Sequence, residues 1–225
     1  MSTEEQFEGQ QGVDTITQFY EKNKNNLMIA GIAFILIAGG IYYYNNVLKP
    51  QQEEEAAESL FMAERYFSQD SMNKALNGDG INLGLLDVAD EYSGTKAGNQ
   101  ASYYAGRALL SQGKYEEALD HLEDADMSDE FMAAQIIALR GDCYSELEQY
   151  EEAGDAYMKA ANERENSLTT PYALQKAALA YEAAEEYGDA LDALQRIKED
   201  YSDSRYVEKL DARIGRVMAK KAAAK

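Results

Sequence analysis

The side chains able to do chemistry are few and far apart. His121 is the only histidine and Cys143 the only cysteine in the chain. A histidine-based triad or a His/Cys metal centre needs several such groups converging on one point. His121 sits on an expected helix with no cysteine or second histidine nearby. Cys143 cannot form an internal disulfide and reads as a small apolar residue on a helix face. The paired carboxylates Glu116-Glu117 and Glu151-Glu152 would need a cleft and perturbed protonation to act as general acid and base. Each pair instead opens an apolar-periodic run, where acidic groups complement the helix dipole. Asp79, within Asn77-Gly78-Asp79-Gly80, lacks the further acids of a calcium loop and belongs to a turn. No glycine-rich phosphate loop follows a strand, because no convincing strand exists. The residues therefore predict no enzyme, no cofactor, no metal and no small-molecule substrate, and they leave surface recognition of other proteins as the function to look for.

The charge narrows the partners. The 225 residues carry a formal −20, the reverse of the basic footprint a nucleic-acid binder needs. The acidity is uneven: residues 50–204 hold 34 acidic side chains against 11 basic, whereas residues 205–225 hold seven basic against two acidic. Only two prolines, Pro50 and Pro171, interrupt the chain, so long helices are unobstructed.

Internal repeats decide the fold. GRALLSQGKYEEALDHLEDA from Gly106, GDCYSELEQYEEAGDAYMKA from Gly141 and ALAYEAAEEYGDALDALQRI from Ala178 align with one another. Tyr115, Tyr150 and Tyr187 are each followed three residues later by Ala118, Ala153 and Ala190. Successive copies are therefore offset by about 35 residues, close to the period of about 34 expected for helix–turn–helix repeats. Small residues at Gly106, Gly141 and Ala178 let two antiparallel helices approach, and large residues at i, i+3 and i+4 fill the seam. Residues 99–204 thus resemble the tetratricopeptide repeat (TPR) family, with Pro171 opening the third hairpin. The fold class expected is all-α: one transmembrane helix followed by a TPR helical-hairpin solenoid. Residues 49–98 form a linker helix and a degenerate first hairpin, with helices expected over 56–67 and 81–92 and a solvated loop over 68–80. The segment Asp90-Glu91-Tyr92-Ser93-Gly94-Thr95 recurs as Glu199-Asp200-Tyr201-Ser202-Asp203-Ser204, and a helix is expected after each. The second of these, in 205–225, caps the solenoid and places Lys209, Arg213, Arg216 and Lys220 on one basic face. That face is read as a solvated cap, with docking onto an acidic partner or anionic headgroups as the alternative.

A TPR solenoid receives its partner along the face lined by the first helix of each hairpin. In the repeat register that face comprises Gln100, Tyr103, Arg107 and Leu110, then Gln135, Ala138, Asp142 and Glu146, then Gln175, Leu179 and Glu182. The lysine and asparagine of TPR domains that grip a chaperone's terminal carboxylate are replaced here by Tyr103, Arg107, Ala138 and Asp142. An apolar segment or a partner helix is the cargo this mixture implies.

Ahead of the repeats, residues 25–48 contain no charge, and their apolar heart opens on Leu27 and closes on Tyr44. That length suits a membrane span of about 20 residues. Tyr42, Tyr43 and Tyr44 suit the headgroup zone, and Asn45, Asn46 and Pro50 are expected to end the helix. A cleaved signal peptide would begin with a short basic leader, but residues 1–24 carry five acids and only Lys22 and Lys24. This leader is expected to be disordered over 1–12 and amphipathic over 13–20 through Val13, Ile16, Phe19 and Tyr20. Lys22 and Lys24 on one side, against Lys49 on the other, favour a cytoplasmic N-terminus.

The order of features is narrower than an anchored repeat. An acidic leader, VDTITQFYEKNK, a span ending in tyrosines, Asn45-Asn46 and an Ala/Glu-rich helix precede the hairpins. This order resembles the YfgM-like bacterial inner-membrane proteins. The resemblance implies a periplasmic repeat domain and association with the SecYEG translocon and a membrane-anchored prolyl isomerase-like chaperone. It also implies assistance to translocated envelope proteins. A structural scaffold of another envelope assembly, with no chaperone role, is the alternative.

Overall fold

The computed structural model describes the backbone of residues 3–224 and the side chains of residues 20–224. Residues 3–12, expected to be disordered, are instead helical, while the amphipathic face expected of Val13, Ile16 and Phe19 rests on side chains outside the described residues. Two compact units are present, Met1–Gln51 and Gln52–Lys225, and among the described residues there is no strand.

In the first unit, helix α1 spans Thr3–Tyr43. It supplies a helical segment long and apolar enough to cross a membrane, with mean hydropathy 2.0 over its most apolar 18 residues and none of that window buried. The expected stop at Asn45, Asn46 and Pro50 does not occur. A π-helical turn, Tyr44–Leu48, leads into α2, Lys49–Ser68. Pro50 has no N–H to donate and its ring would clash with the carbonyl four residues back. The wide turn, in which the Lys49 N–H reaches the Tyr44 carbonyl, carries the backbone past it. Asn46 ties itself into that turn by donating from Nδ2 to the Tyr42 carbonyl at 2.8 Å.

The second unit is a row of helices, and their limits follow from capping and turn chemistry. After α2 come α3 (Met72–Asn77) and α4 (Leu85–Glu91). The stretch 68–80, expected to be a solvated loop, therefore contains a short helix that buries Ala75 and Leu76. The turn at 77–80 forms as read. Gly78 and Gly80 take positive φ, and the Asp79 carboxylate accepts from the Ile81 and Asn82 N–H groups. The following helix starts at Leu85 rather than Ile81 because Gly84 lies against the 76–78 backbone, where a Cβ would stand 2.1 Å from the Leu76 carbonyl oxygen.

The three hairpins are α5 (Lys96–Ser111) with α6 (Tyr115–Asp124), α7 (Glu130–Glu146) with α8 (Tyr150–Glu163), and α9 (Thr170–Ala183) with α10 (Tyr187–Asp200). Tyr115, Tyr150 and Tyr187 each begin the second helix, and Pro171 lies in the first turn of α9, where its missing N–H is harmless. Thr95 caps α5 by accepting from the Gly98 N–H at 2.9 Å. Ser204, its counterpart in the recurring segment, caps a 3-10 turn, Arg205–Val207. The last helix, α11, spans Leu210–Ala223 and buries Leu210 and Val217.

One turn is built three times. Gly113, Glu148 and Glu185, each two residues ahead of the tyrosine, take φ of 76°, 61° and 63°. The next residue's N–H then reaches back to Leu109, Tyr144 and Tyr181 at 3.0, 2.9 and 2.9 Å. This is the Schellman closure of a helix end, which favours glycine. Left-handed backbone costs a non-glycine residue about 1–2 kcal/mol. Replacing Glu148→Gly is accordingly expected to raise unfolding stability by about 0.5–1 kcal/mol, while Gly113→Ala lowers it by about 1–2 kcal/mol. Chemical denaturation of the full chain in detergent micelles, read by circular dichroism, measures both, and equal signs for the two variants would refute the account.

Candidate functional site: the face of the first helices

The site is assembled by close helix approaches. A Cβ on Gly106 would stand 2.5 Å from the Leu122 side chain, and one on Gly141 would stand 2.7 Å from the Tyr157 ring. Glycine therefore lets the second helix of the first two hairpins lay a large side chain across the first. At Gly141 this has a polar consequence. The Tyr157 hydroxyl crosses α7 and donates to Asp142 Oδ1 at 2.6 Å. The same carboxylate oxygen takes Lys176 Nζ from α9. Lys176 also lies 5.0 Å from the Tyr157 ring centre and 5.3 Å from that of Tyr172. One carboxylate thus links α7, α8 and α9.

Two cavities flank this network. One, of 410 Å³, is lined by Leu110, Tyr115, Asp142, Ser145, Glu146, Tyr150, Tyr157, Lys176, Leu179, Ala180 and Ala183. The other, of 240 Å³, is lined largely by apolar groups from α7, α8 and α9, including Phe131, Ala134, Ala138, Ala160, Tyr172 and Ala173. Gln135, Arg164, Asn166 and Thr169 add polar edges to it, and Lys176 borders both cavities. Phe131, Tyr172 and Leu179 line these recesses and are 47%, 45% and 55% exposed, so apolar surface is grouped here rather than scattered singly.

The residues read from the sequence divide by place. Leu110, Asp142, Glu146 and Leu179 line the larger cavity, and Gln135 and Ala138 the smaller. Gln100, Tyr103 and Arg107 border neither cavity, and Gln100 and Arg107 instead face α2. Gln100 Nε2 donates to Glu64 at 2.6 Å, Tyr103 is buried, and Arg107 lies 5.3 Å from the Phe67 ring centre. Burial holds the Glu64 carboxyl above its usual range. Gln175 lines neither cavity. Glu182 is occupied: Arg213 Nε donates to it at 2.8 Å, and Lys220 Nζ lies 3.4 Å away.

The expected basic face of the cap is corrected by the same contact. Lys209 precedes α11 in left-handed backbone, Arg213 and Lys220 turn onto Glu182, and Arg216 is exposed. Heptad-like spacing identified the residues but not the acid waiting in α9. Sequence reasoning missed Tyr172, Lys176 and Tyr157. Tyr172 stands six residues before the small Ala178, as Gln100 and Gln135 stand before Gly106 and Gly141, so the register held that signal. Lys176 stands where α5 has Tyr104 and α7 has Leu139, positions without polar precedent.

His121 and Cys143 lie apart from this network. Cys143 is fully buried, and burial pushes its thiol up to about 12, which leaves it unreactive. His121 sits half-buried on α6.

A stack of antiparallel hairpins offering apolar recesses along one face is a protein-interaction module. Its repeats are tetratricopeptide repeats: the tetratricopeptide repeat model matches residues 100–125 and 172–204, which cover most of the first and third hairpins. No curated protein matches the chain.

Alkaline pH tests the network. Burial, then the charge of Asp142 and its hydrogen bond, raise the Tyr157 hydroxyl's pKa. Burial alone would lower that of Lys176, but Asp142 reverses the effect and leaves it raised. Both groups therefore add stability in full below their unfolded values of about 10–10.4, and that stability is lost as pH rises through the folded values. Thermal melts of the full chain in micelles are expected to fall steeply above about pH 10, and Tyr157→Phe is expected to flatten the fall. An unchanged alkaline slope in the variant would show that the network does not report on folding.

Proposed function

We propose that this chain is a membrane-anchored interaction subunit whose first-helix face receives an apolar segment or amphipathic helix of another protein. The observation that carries this is the pair of recesses meeting at Lys176, with Phe131, Tyr172 and Leu179 presented to solvent beside them. Helix-in-groove binding uses apolar anchors set along a groove with polar groups fixing register. The Asp142–Lys176–Tyr157 network supplies the fixed polar element. It leaves no free cation pair for a terminal carboxylate, because Lys176 is neutralised by Asp142.

The partner assignment rests on the order of leader, span, tyrosines and repeats, which resembles that of the YfgM-like proteins. On that basis the chain sits in the bacterial inner membrane with its N-terminus cytoplasmic and its repeats periplasmic. It associates with the SecYEG translocon and a membrane-anchored prolyl isomerase-like chaperone and assists proteins emerging from the translocon. A photo-crosslinking amino acid at Leu179 is expected to capture a translocon subunit or a translocating chain in native membranes, and one at Glu58 is expected not to. Crosslinks solely to cell-wall or outer-membrane assembly proteins would replace this reading with a scaffold. Protease added outside spheroplasts is expected to degrade residues 50–225, and protection of that region would reverse the orientation.

A further inference from the structure

A third cavity, of 670 Å³, opens between α4, α5 and α6 and shares no lining residue with the two just described. Its walls carry Asp87 and Asp90 from α4 and Glu117, Asp120 and Asp124 from α6, with no lysine or arginine among the lining residues. Asp87 accepts from the Gly84 N–H at 3.4 Å, and Glu117 pairs with Lys114 at 3.2 Å. Asp90, Asp120 and Asp124 have no hydrogen-bond or ion-pair partner among the described residues.

Carboxylates alone are ordinary on an acidic surface, but Ser102 of α5 lines the same cavity. It is only 5% exposed, and its hydroxyl has no partner among the described residues. The hydroxyl is not sealed off, and with no protein partner on this wall of the cavity it is free to bond a ligand group there. The ligand is not a point cation, because among the described residues no three acidic, histidine or cysteine side chains are placed to hold a metal ion. The negative groups are strung along two helices instead. Leu86 and Ala89 of α4 line the same cavity and suit the aliphatic stems of long cationic side chains.

We propose that the α4–α5–α6 cavity binds a lysine- or arginine-bearing peptide segment of a partner protein. Asp90, Asp120 and Asp124 pair with its cationic heads, and Ser102 accepts a hydrogen bond from one of them. This surface is independent of the first-helix face, so the chain holds two partners, or two parts of one partner, at once.

The test titrates the full chain, in non-ionic detergent, into a fluorescently labelled Lys-Ala-Ala-Lys-Ala-Ala-Lys peptide and reads anisotropy. The triple variant Asp90→Asn/Asp120→Asn/Asp124→Asn is expected to bind at least about tenfold more weakly, and Ser102→Ala about threefold more weakly. The variant Glu55→Gln/Glu58→Gln/Glu199→Gln removes the same charge elsewhere and is expected to change binding less than about twofold. Should the first triple variant melt before the titration, Asp120→Asn and Asp124→Asn singly are each expected to lose about threefold. Equal losses in both triple variants would show general attraction to an acidic protein and overturn the site. Spermine competing as well as the peptide at equal charge would overturn the peptide assignment. A dimer seen by sedimentation and abolished by the aspartate substitutions would assign the cavity to another copy's basic tail and overturn a foreign partner.

Discussion

Everything in the second unit depends on how closely the two helices of a hairpin approach at one small residue. Gly106 and Gly141 permit Leu122 and the Tyr157 ring to lie where a side chain would otherwise stand. Overfilling such a contact typically costs about 1–3 kcal/mol, so the glycines are structural requirements. The Schellman turn at the end of each first helix then sets the direction from which the second returns. Turn and contact act together: the turn places the tyrosine that starts the second helix, and the small residue lets that helix settle. Gly154 extends the rule between hairpins, since a Cβ there would meet the Tyr181 ring of the next one at 2.5 Å.

The same contact builds the site. Because Gly141 gives the Tyr157 ring room, its hydroxyl reaches across α7 to Asp142, and Asp142 in turn holds Lys176 of α9. Both ionised side chains are only about a quarter exposed, at 29% and 26%. Pairs of this kind are kept more for specifying an arrangement than for net stability. Here the arrangement specified is the spacing of α7, α8 and α9 that leaves recesses on either side. Tyr181 repeats the device one helix further along, crossing Gly154 and donating to Asp155 at 2.7 Å. The polar groups of the face are thus largely committed to holding it open, and the apolar groups are left to meet a partner.

Much of this was legible in the sequence, for reasons that differ by residue. The tyrosines at 115, 150 and 187 were readable because a repeat writes the same physical requirement three times. The segment ahead of these hairpins, α2 to α4, was readable only in outline. Its last helix had to start after Gly84, a limit set by contact with residues 76–78 that no local pattern reveals. Pro50 misled in the opposite direction, because a π turn ahead of it absorbs the clash that normally ends a helix. On the face of the first helices, periodicity correctly brought Leu110, Asp142, Glu146 and Leu179 together but could not separate residues facing solvent from those facing another helix. Gln100 and Arg107 obey the same register but are spent on α2, and Tyr103 is buried. Lys176 was missed because its role exists only through Asp142, 34 residues away.

The charge asymmetry of the chain also has an internal explanation. Seven basic residues after position 204 suggest an external anionic partner when read alone. In the folded unit, Arg213 is 13% and Glu182 12% exposed, so this pair is largely removed from solvent screening. Lys220 adds to it, and the reciprocal pair Lys198–Asp211 at 2.6 Å ties α11 to α10 with the opposite polarity. An acidic solenoid ends most favourably under a basic cap, and that cap must add Leu210 and Val217 to the buried cluster holding Leu194 and Ile197 as well as satisfy Glu182. The C-terminal positive charge is therefore first a device for closing the repeat stack. Lys209, Arg216 and Lys221 still face outward among the described residues, while the body of the solenoid stays strongly acidic. In the functional reading proposed above, discrimination among partners accordingly falls to the recesses and the acidic cavity rather than to the cap.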